Sequence, residues 1–169
     1  MRLQGRLLGL DVGDRRVGVA VCDAMGIVVT PLTVFRRGSR QADFARIAAI
    51  AARERATGIV VGLPLNMDGS EGRQARRARR FAEGLAASVD LPVVLWDERL
   101  STFEAERRWA EAGRRSRQAE ALDAMAAAVI LQDYLDADRS PVQLPDAPTR
   151  TEKIQRKGAK TQRFCRDQD

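Results

Sequence analysis

Two unbroken apolar runs, GIVVGLP at 58–64 and PVVLWDE at 92–98, constrain this chain more than any other feature. Neither alternates apolar with polar residues, so each suits a strand buried on both faces, the pattern of parallel sheets. A helical pattern at 71–87 separates them, with Ala78, Phe81, Ala82 and Leu85 as its inner stripe. Strand, helix and strand in that order close as a right-handed crossover, which sets the two runs parallel in one sheet.

Upstream, β-rich runs at 7–12, 16–22 and 27–35 are joined by Gly13-Asp14 and Met25-Gly26, tight-turn chemistry that predicts an antiparallel meander. Pro31 has no amide hydrogen for a ladder, which sends the third run to an edge. Helical periodicity returns at 41–55, through Phe44, Ile47, Ala48, Ile50 and Ala51. It returns again at 117–136, through Leu122, Met125, Ala126, Val129 and Ile130. Ser101-Thr102-Phe103-Glu104 reads as a capping box, opening a further helix by satisfying its free N–H groups. The expected fold is α/β: a mixed five-stranded sheet, a three-strand antiparallel meander plus two parallel strands, flanked by helices. With 169 residues, 44% of them hydrophobic, one domain is expected, set at 1–136. Beyond it, at 137–169, prolines, lysines and few large apolar residues predict a disordered basic tail.

Composition narrows the chemistry. The chain contains no histidine, which excludes Ser-His triads and histidine-ligated zinc and leaves acid–base and metal work to carboxylates. Its two cysteines, Cys22 in a predicted strand and Cys165 in the tail, form neither a disulfide framework nor a metal-ligand spacing. No export signal or membrane-length apolar run is present, so a reducing cytoplasm is the expected location. A formal charge of +6 favours a polyanionic partner, nucleic acid ahead of an anionic membrane. An arginine-rich background with no such partner would give the same balance.

Acids end two of the strands. Asp11 closes the first, and the pair Asp97-Glu98 closes the fifth. Carboxyl ends of parallel strands face the functional crevice in open sheets. A first strand placed centrally, beside the fourth, would bring Asp11 and the fifth strand's acid to one edge. Asp123 shares its helical side with Ala126, Ala127, Ile130 and Tyr134, which turns it towards the body of the protein. Either it joins the other acids or it is a border residue paired with an arginine such as Arg15 or Arg99. Two carboxylates about 4 Å apart repel by roughly 4 kcal/mol at an effective dielectric near 20. Such a cluster takes up a proton or a hard divalent cation; oxygen-only ligands point to Mg²⁺ or Mn²⁺.

Four segments in order, LLGLDVGDRRVGVAV, VVGLPLNMDGSEGRQARRARRFAEGL, DERLSTFEAE and LDAMAAAVILQDYL, resemble the YqgF family, also called RuvX. The resemblance covers about 7–135 and implies an RNase H-like fold and a metal-dependent nuclease. Members are linked to maturation of the 5′ end of pre-16S ribosomal RNA and resemble Holliday junction resolvases. Carried over residue by residue, the family's strand aspartate falls on Asp11, the glutamate of its DER motif on Glu98 and its helix aspartate on Asp123. Those three are the expected catalytic and metal-binding residues. The family's basic residue shortly before the helix aspartate is missing here, where the chain reads Gln118-Ala119-Glu120-Ala121-Leu122.

Arg73, Arg76, Arg77 and Arg80 fall at helical spacing and form either a phosphate-contacting stripe or a solvated face. Arg15 and Arg16 flank the turn after Asp11, and Asn66 lies at the expected crevice edge, with Arg99 beside Glu98. Arg15, Arg16, Asn66, Arg73, Arg76, Arg77 and Arg99 are therefore the expected contacts to nucleic acid. Ser70 could be a helix N-cap, and Trp96 and Trp109 are expected to pack. Two other readings compete. An apolar strand followed by a DxG hairpin also resembles the phosphate loop of actin-like ATPases, though these need a second domain. A non-catalytic RNA-binding factor would keep the fold and cleave nothing.

Overall fold

A computed structural model of the chain describes residues 2–99, 116–137, 141, 142 and 144. Strands β1 (Leu7–Val12), β2 (Arg16–Cys22), β3 (Val29–Arg36), β4 (Gly58–Leu63) and β5 (Val93–Asp97) form one sheet in the order β3-β2-β1-β4-β5. β1 pairs antiparallel with β2 and parallel with β4; β3 is antiparallel to β2, and β5 parallel to β4. The expected meander, the parallel pair and the central first strand are all present. Pro31 lies on β3, the edge strand, beside a register shift that skips Leu32 opposite Val19 and Ala20.

β3 begins two residues later than the pattern suggests because a side chain competes for its first amides. Asp23 Oδ1 accepts from the N–H groups of Ile27, at 2.7 Å, and Val28, at 3.1 Å, and so holds both in a turn. Gly26, at φ 69°, completes that turn.

Side-chain alternation splits the core between the two faces of the sheet. On one face Leu8, Leu10, Val17, Val19, Ile59, Val61 and Leu95 meet helices α1 (Arg40–Arg53) and α2 (Arg73–Ser88). Phe44 of α1 and Phe81 of α2 join there edge to face, 5.1 Å apart. α1 starts at Ser39, whose hydroxyl accepts from the Ala42 N–H. α2 starts after Gly72, with no side-chain cap; Ser70 is not its N-cap.

The other face carries helix α3 (Ser116–Asp136). Its buried side is Ala126, Ala127, Ile130, Leu131 and Tyr134, while Met125 is 46% exposed. The larger apolar stripe through Leu122, Met125 and Val129 is thus turned away from the closest contact. Small residues win because the strands beneath are bare at Gly9 and Gly18, and backbone can approach backbone. A Cβ added at Gly9 would sit 2.7 Å from Leu131 Cβ and 2.8 Å from the Ala127 carbonyl oxygen. Trp96 packs as expected: its ring meets Tyr134 edge to face at 5.2 Å, and its Nε1 donates to Asp133 Oδ2 at 2.7 Å.

The outer edge of β5 also receives a later residue. Val142 forms an antiparallel bridge with Leu95, through N–H···O contacts of 2.9 and 3.3 Å. The chain therefore contributes to the sheet beyond the expected domain limit at 136. The capping box at 101–104, Trp109 and Cys165 lie outside the described residues.

Candidate active site

The site begins at the hairpin after Asp11. Gly13 N–H donates to the Arg16 carbonyl at 2.9 Å, which turns β1 back into β2. Arg37, just past β3, grips this turn twice. Its backbone N–H donates to the Arg15 carbonyl at 2.9 Å, and its Nη1 donates to the Gly13 carbonyl at 3.0 Å. Arg37 is fixed in turn by the Phe81 ring, 5.1 Å beneath its guanidinium, and by buried Asp43, whose Oδ2 is 3.5 Å from Nε. The other Asp43 oxygen accepts from the Gly38 N–H at 2.9 Å. A buried carboxylate so neutralised holds the turn that follows Asp11 in one place.

Asp11 and Glu98 are buried, 5% and 4% exposed, and both line a narrow cleft of about 40 Å³. Its other walls are Val12, Gly13, Asp14, Gly62, Pro64, Gln74 and Arg77. Strand alternation explains why Glu98 and not Asp97 comes here. Glu98 follows Trp96 by two and shares its face of the sheet, towards α3, which is also the face of Asp11. Asp97 points the other way and takes Arg99 in a charge-assisted pair, with Nε at 2.9 Å and Nη2 at 2.8 Å from Oδ2. Arg99 is raised further above its ordinary value, first by its hydrogen bond to Asp97.

Room for Glu98 comes from Gly62. A Cβ there would overlap the Glu98 carboxylate and sit 2.7 Å from Ile130 Cδ1. Gly18, the β2 partner of Asp11, plays the same part for α3, since a Cβ there would overlap the backbone carbonyl of Asp123. The backbone of Asp123 therefore lies against the strand next to Asp11. Its carboxylate does not line the cleft; it accepts from Arg16 Nε at 2.6 Å. Asp123 has an arginine partner, as the border-residue reading expects, but the partner is Arg16 rather than Arg15 or Arg99. Among the described residues no three His, Cys, Asp or Glu side chains come together closely enough to hold a metal ion. Two buried carboxylates in one cleft still suit a hard divalent cation, because a small hard cation takes one or two protein carboxylates and keeps water and phosphate oxygens for the rest.

The predicted basic contacts divide by what holds them. Arg77 of α2 pairs with Asp14 across the cleft mouth, and Arg76 donates to the Glu71 carbonyl at 2.6 Å. Arg73 and Arg80 are exposed, and Arg79 pairs with Glu71. Asn66 lies outside the cleft lining, in a turn closed on itself: its Nδ2 donates to Ser70 Oγ at 2.8 Å, and Ser70 donates to Asp68. Those bonds from Ser70, hydroxyl first, hold the Asp68 carboxyl below its ordinary value. Sequence reasoning did not single out Gly62, Gln74, Arg36 or Arg37, although RRGS at 36–39 carries two of them in plain view.

A mixed sheet that delivers two buried strand-end carboxylates to a cleft walled in part by Arg77 fits the nuclease class of protein. A family model described as "RuvX: Holliday junction resolvase" matches residues 5–137. A Myxococcus xanthus protein named "Putative pre-16S rRNA nuclease" is 49% identical over 137 residues, covering 80% of this chain and 91% of its own. A protein of the same name from Anaeromyxobacter is 54% identical over 132 residues, covering 78% and 96%. The chain belongs to the RuvX family. A solved structure of Thermus thermophilus RuvC in complex with a Holliday junction substrate aligns at 17% identity and a TM-score of 0.48, covering 78% of this chain and 94% of that one. Among the described residues no helix is long and apolar enough to cross a membrane.

Proposed function

We propose that this chain is a cytoplasmic, divalent-metal-dependent nuclease that hydrolyses phosphodiester bonds in precursor ribosomal RNA at the 5′ end of 16S. The observation that carries this reading is the delivery of Asp11 and Glu98, from the ends of β1 and β5, to one cleft. The names of the relatives support the substrate.

Asp11 and Glu98 would hold Mg²⁺ or Mn²⁺, with Asp123 joining them once Arg16 is drawn away. When bound, the ion would supply an activated water and stabilisation of the leaving oxygen. The chain's own residues do the rest. Arg37 and Asp43 keep the Asp11 turn from moving, and Gly62 leaves Glu98 its place. Arg77 and Asp14 frame the entrance. Arg15, Arg16, Arg73, Arg76 and Arg99 attract the backbone, and Asn66 stands at the loop beyond the cleft.

The test is a cleavage panel of pre-16S RNA, single strands and four-way DNA junctions, with Mg²⁺ and with Mn²⁺, run beside Asp11→Asn. Metal-dependent cutting of the precursor by the wild type, lost in a folded Asp11→Asn protein, is the expected result. Cutting that survives in purified Asp11→Asn removes that residue from the chemistry. Preference for the four-way junction would move the substrate to branched DNA.

A further inference from the structure

The molecule has a second concavity beside the first, between the β1–β2 hairpin and the end of β3. It measures about 340 Å³ and is lined by Asp14, Arg15, Arg16, Arg36 and Arg37. Asp14 lines both spaces, so they adjoin. We propose that this four-arginine basin is a docking subsite for the phosphate backbone of the nucleic acid whose scissile bond lies in the cleft; it rests on the nuclease reading.

The arginines differ in how they are held. Arg37 is the fixed floor, clamped by Asp43, Phe81 and the Gly13 carbonyl. Arg16 is tied to Asp123. Arg15 and Arg36 are exposed, and neither makes an ion pair among the described residues. The single carboxylate of the basin, Asp14, is occupied by Arg77. Positive charge is therefore left uncompensated at one place.

Arg16 and Arg36 are also direct partners across β2 and β3. Like charges in that relation destabilise a sheet; Asp123 answers Arg16, and Arg36 is the member that gains from an added anion. Arginine is suited to it, since its planar fork bonds phosphate oxygens in pairs. Across the Asp14–Arg77 pair, α2 offers Arg73, Arg76 and Arg77. A strand passing over Asp11 and Glu98 thus meets cations of the helix and of the basin.

The experiment measures binding alone, in EDTA, by fluorescence anisotropy of a fluorescein-labelled single-stranded RNA of about 20 nucleotides against KCl concentration. Each phosphate contact adds about 0.7 to the slope of log K against log salt for a single strand. Arg15→Gln with Arg36→Gln should flatten the slope by about 1.4, which shrinks the affinity ratio between roughly 50 and 200 mM salt about sevenfold. Arg53→Gln, an equal loss of charge per site on the far helix, should leave the slope alone. Lysine at both 15 and 36 should restore most of it. An unchanged slope in the double glutamine variant, or no salt-dependent binding by the wild type, overturns the proposal. Wild-type protein that binds through the basin yet cuts nothing with Mg²⁺ or Mn²⁺ leaves the subsite standing and removes the nuclease reading. Wild type that cuts, with a double variant that binds like it, does the reverse.

Discussion

Gly18→Ala is the sharpest test of whether Asp123, held against β2 beside Asp11, takes part in the proposed chemistry. Gly18 lies opposite Asp11 on β2, and its missing side chain faces the first described turns of α3. An added methyl would overlap the Asp123 carbonyl and stand 3.2 Å from the Ala124 nitrogen. Backbone atoms are in the way, so no rotamer change relieves the clash. To regain an ordinary contact near 3.5 Å, α3 must lift locally by roughly 1.5 Å. Overpacking of this kind costs about 1–3 kcal/mol. In a chain of this size each kcal/mol lowers Tm by about 2–4 °C. Activity should suffer more, because a misplacement of about 1 Å costs on the order of 100-fold in rate. Gly9→Ala is the comparison: it strikes the same helix at Ala127 and Leu131, one turn further from Asp123. Both variants should lose several degrees in a circular-dichroism melt, with Gly18→Ala losing far more single-turnover cleavage. A Gly18→Ala protein that is destabilised but cleaves at the wild-type rate would refute the placement of Asp123 as essential. One that melts like the wild type would refute the close approach itself.

Two further outcomes follow from turn and core chemistry. The Asp23 carboxyl is held below its ordinary 3.8, first by the Ile27 N–H and then by that of Val28. A depressed folded value means the turn's stabilisation is present above 3.8 and is lost as pH falls through the lower value. Between about pH 5 and pH 3 the wild type should therefore lose more Tm than Asp23→Ala; equal losses would remove Asp23 from the turn. Cys22 is 1% exposed, and burial pushes its thiol above the ordinary 9.0. In a Cys165→Ser background, a thiol reagent at about pH 8 should label Cys22 only on unfolding, and rapid labelling of the native protein would contradict that burial.

The fold was legible because its signals are local and agree. Continuous apolar runs mark strands covered on both faces, helical stripes mark what covers them, and Pro31 marks the edge. Misplaced limits have particular causes. β3 starts late because the Asp23 side chain takes the amides of Ile27 and Val28, a competition that hydrophobic pattern does not register. α3 shows a different face because the pattern weighs side chains by size. The sheet beneath selects for smallness, through glycines that only the pairing of β1 and β2 brings under the helix.

The site was legible to the same depth and fails at the same step. A strand's alternation separates Asp97 from Glu98 once the strand is fixed, and a helix's rotation turns Asp123 inwards. Neither says which cation waits there. Arg16 meets Asp123 because it stands two residues before Gly18, on the same face of β2, where α3 crosses closest. Arg15, one residue earlier, is exposed, and Arg99 is spent on Asp97. Arginine partners depend on strand register and on the space left by glycine, both long-range properties. A basic motif in the sequence therefore locates charge near the cleft, while the division into paired and exposed arginines comes only from the folded sheet.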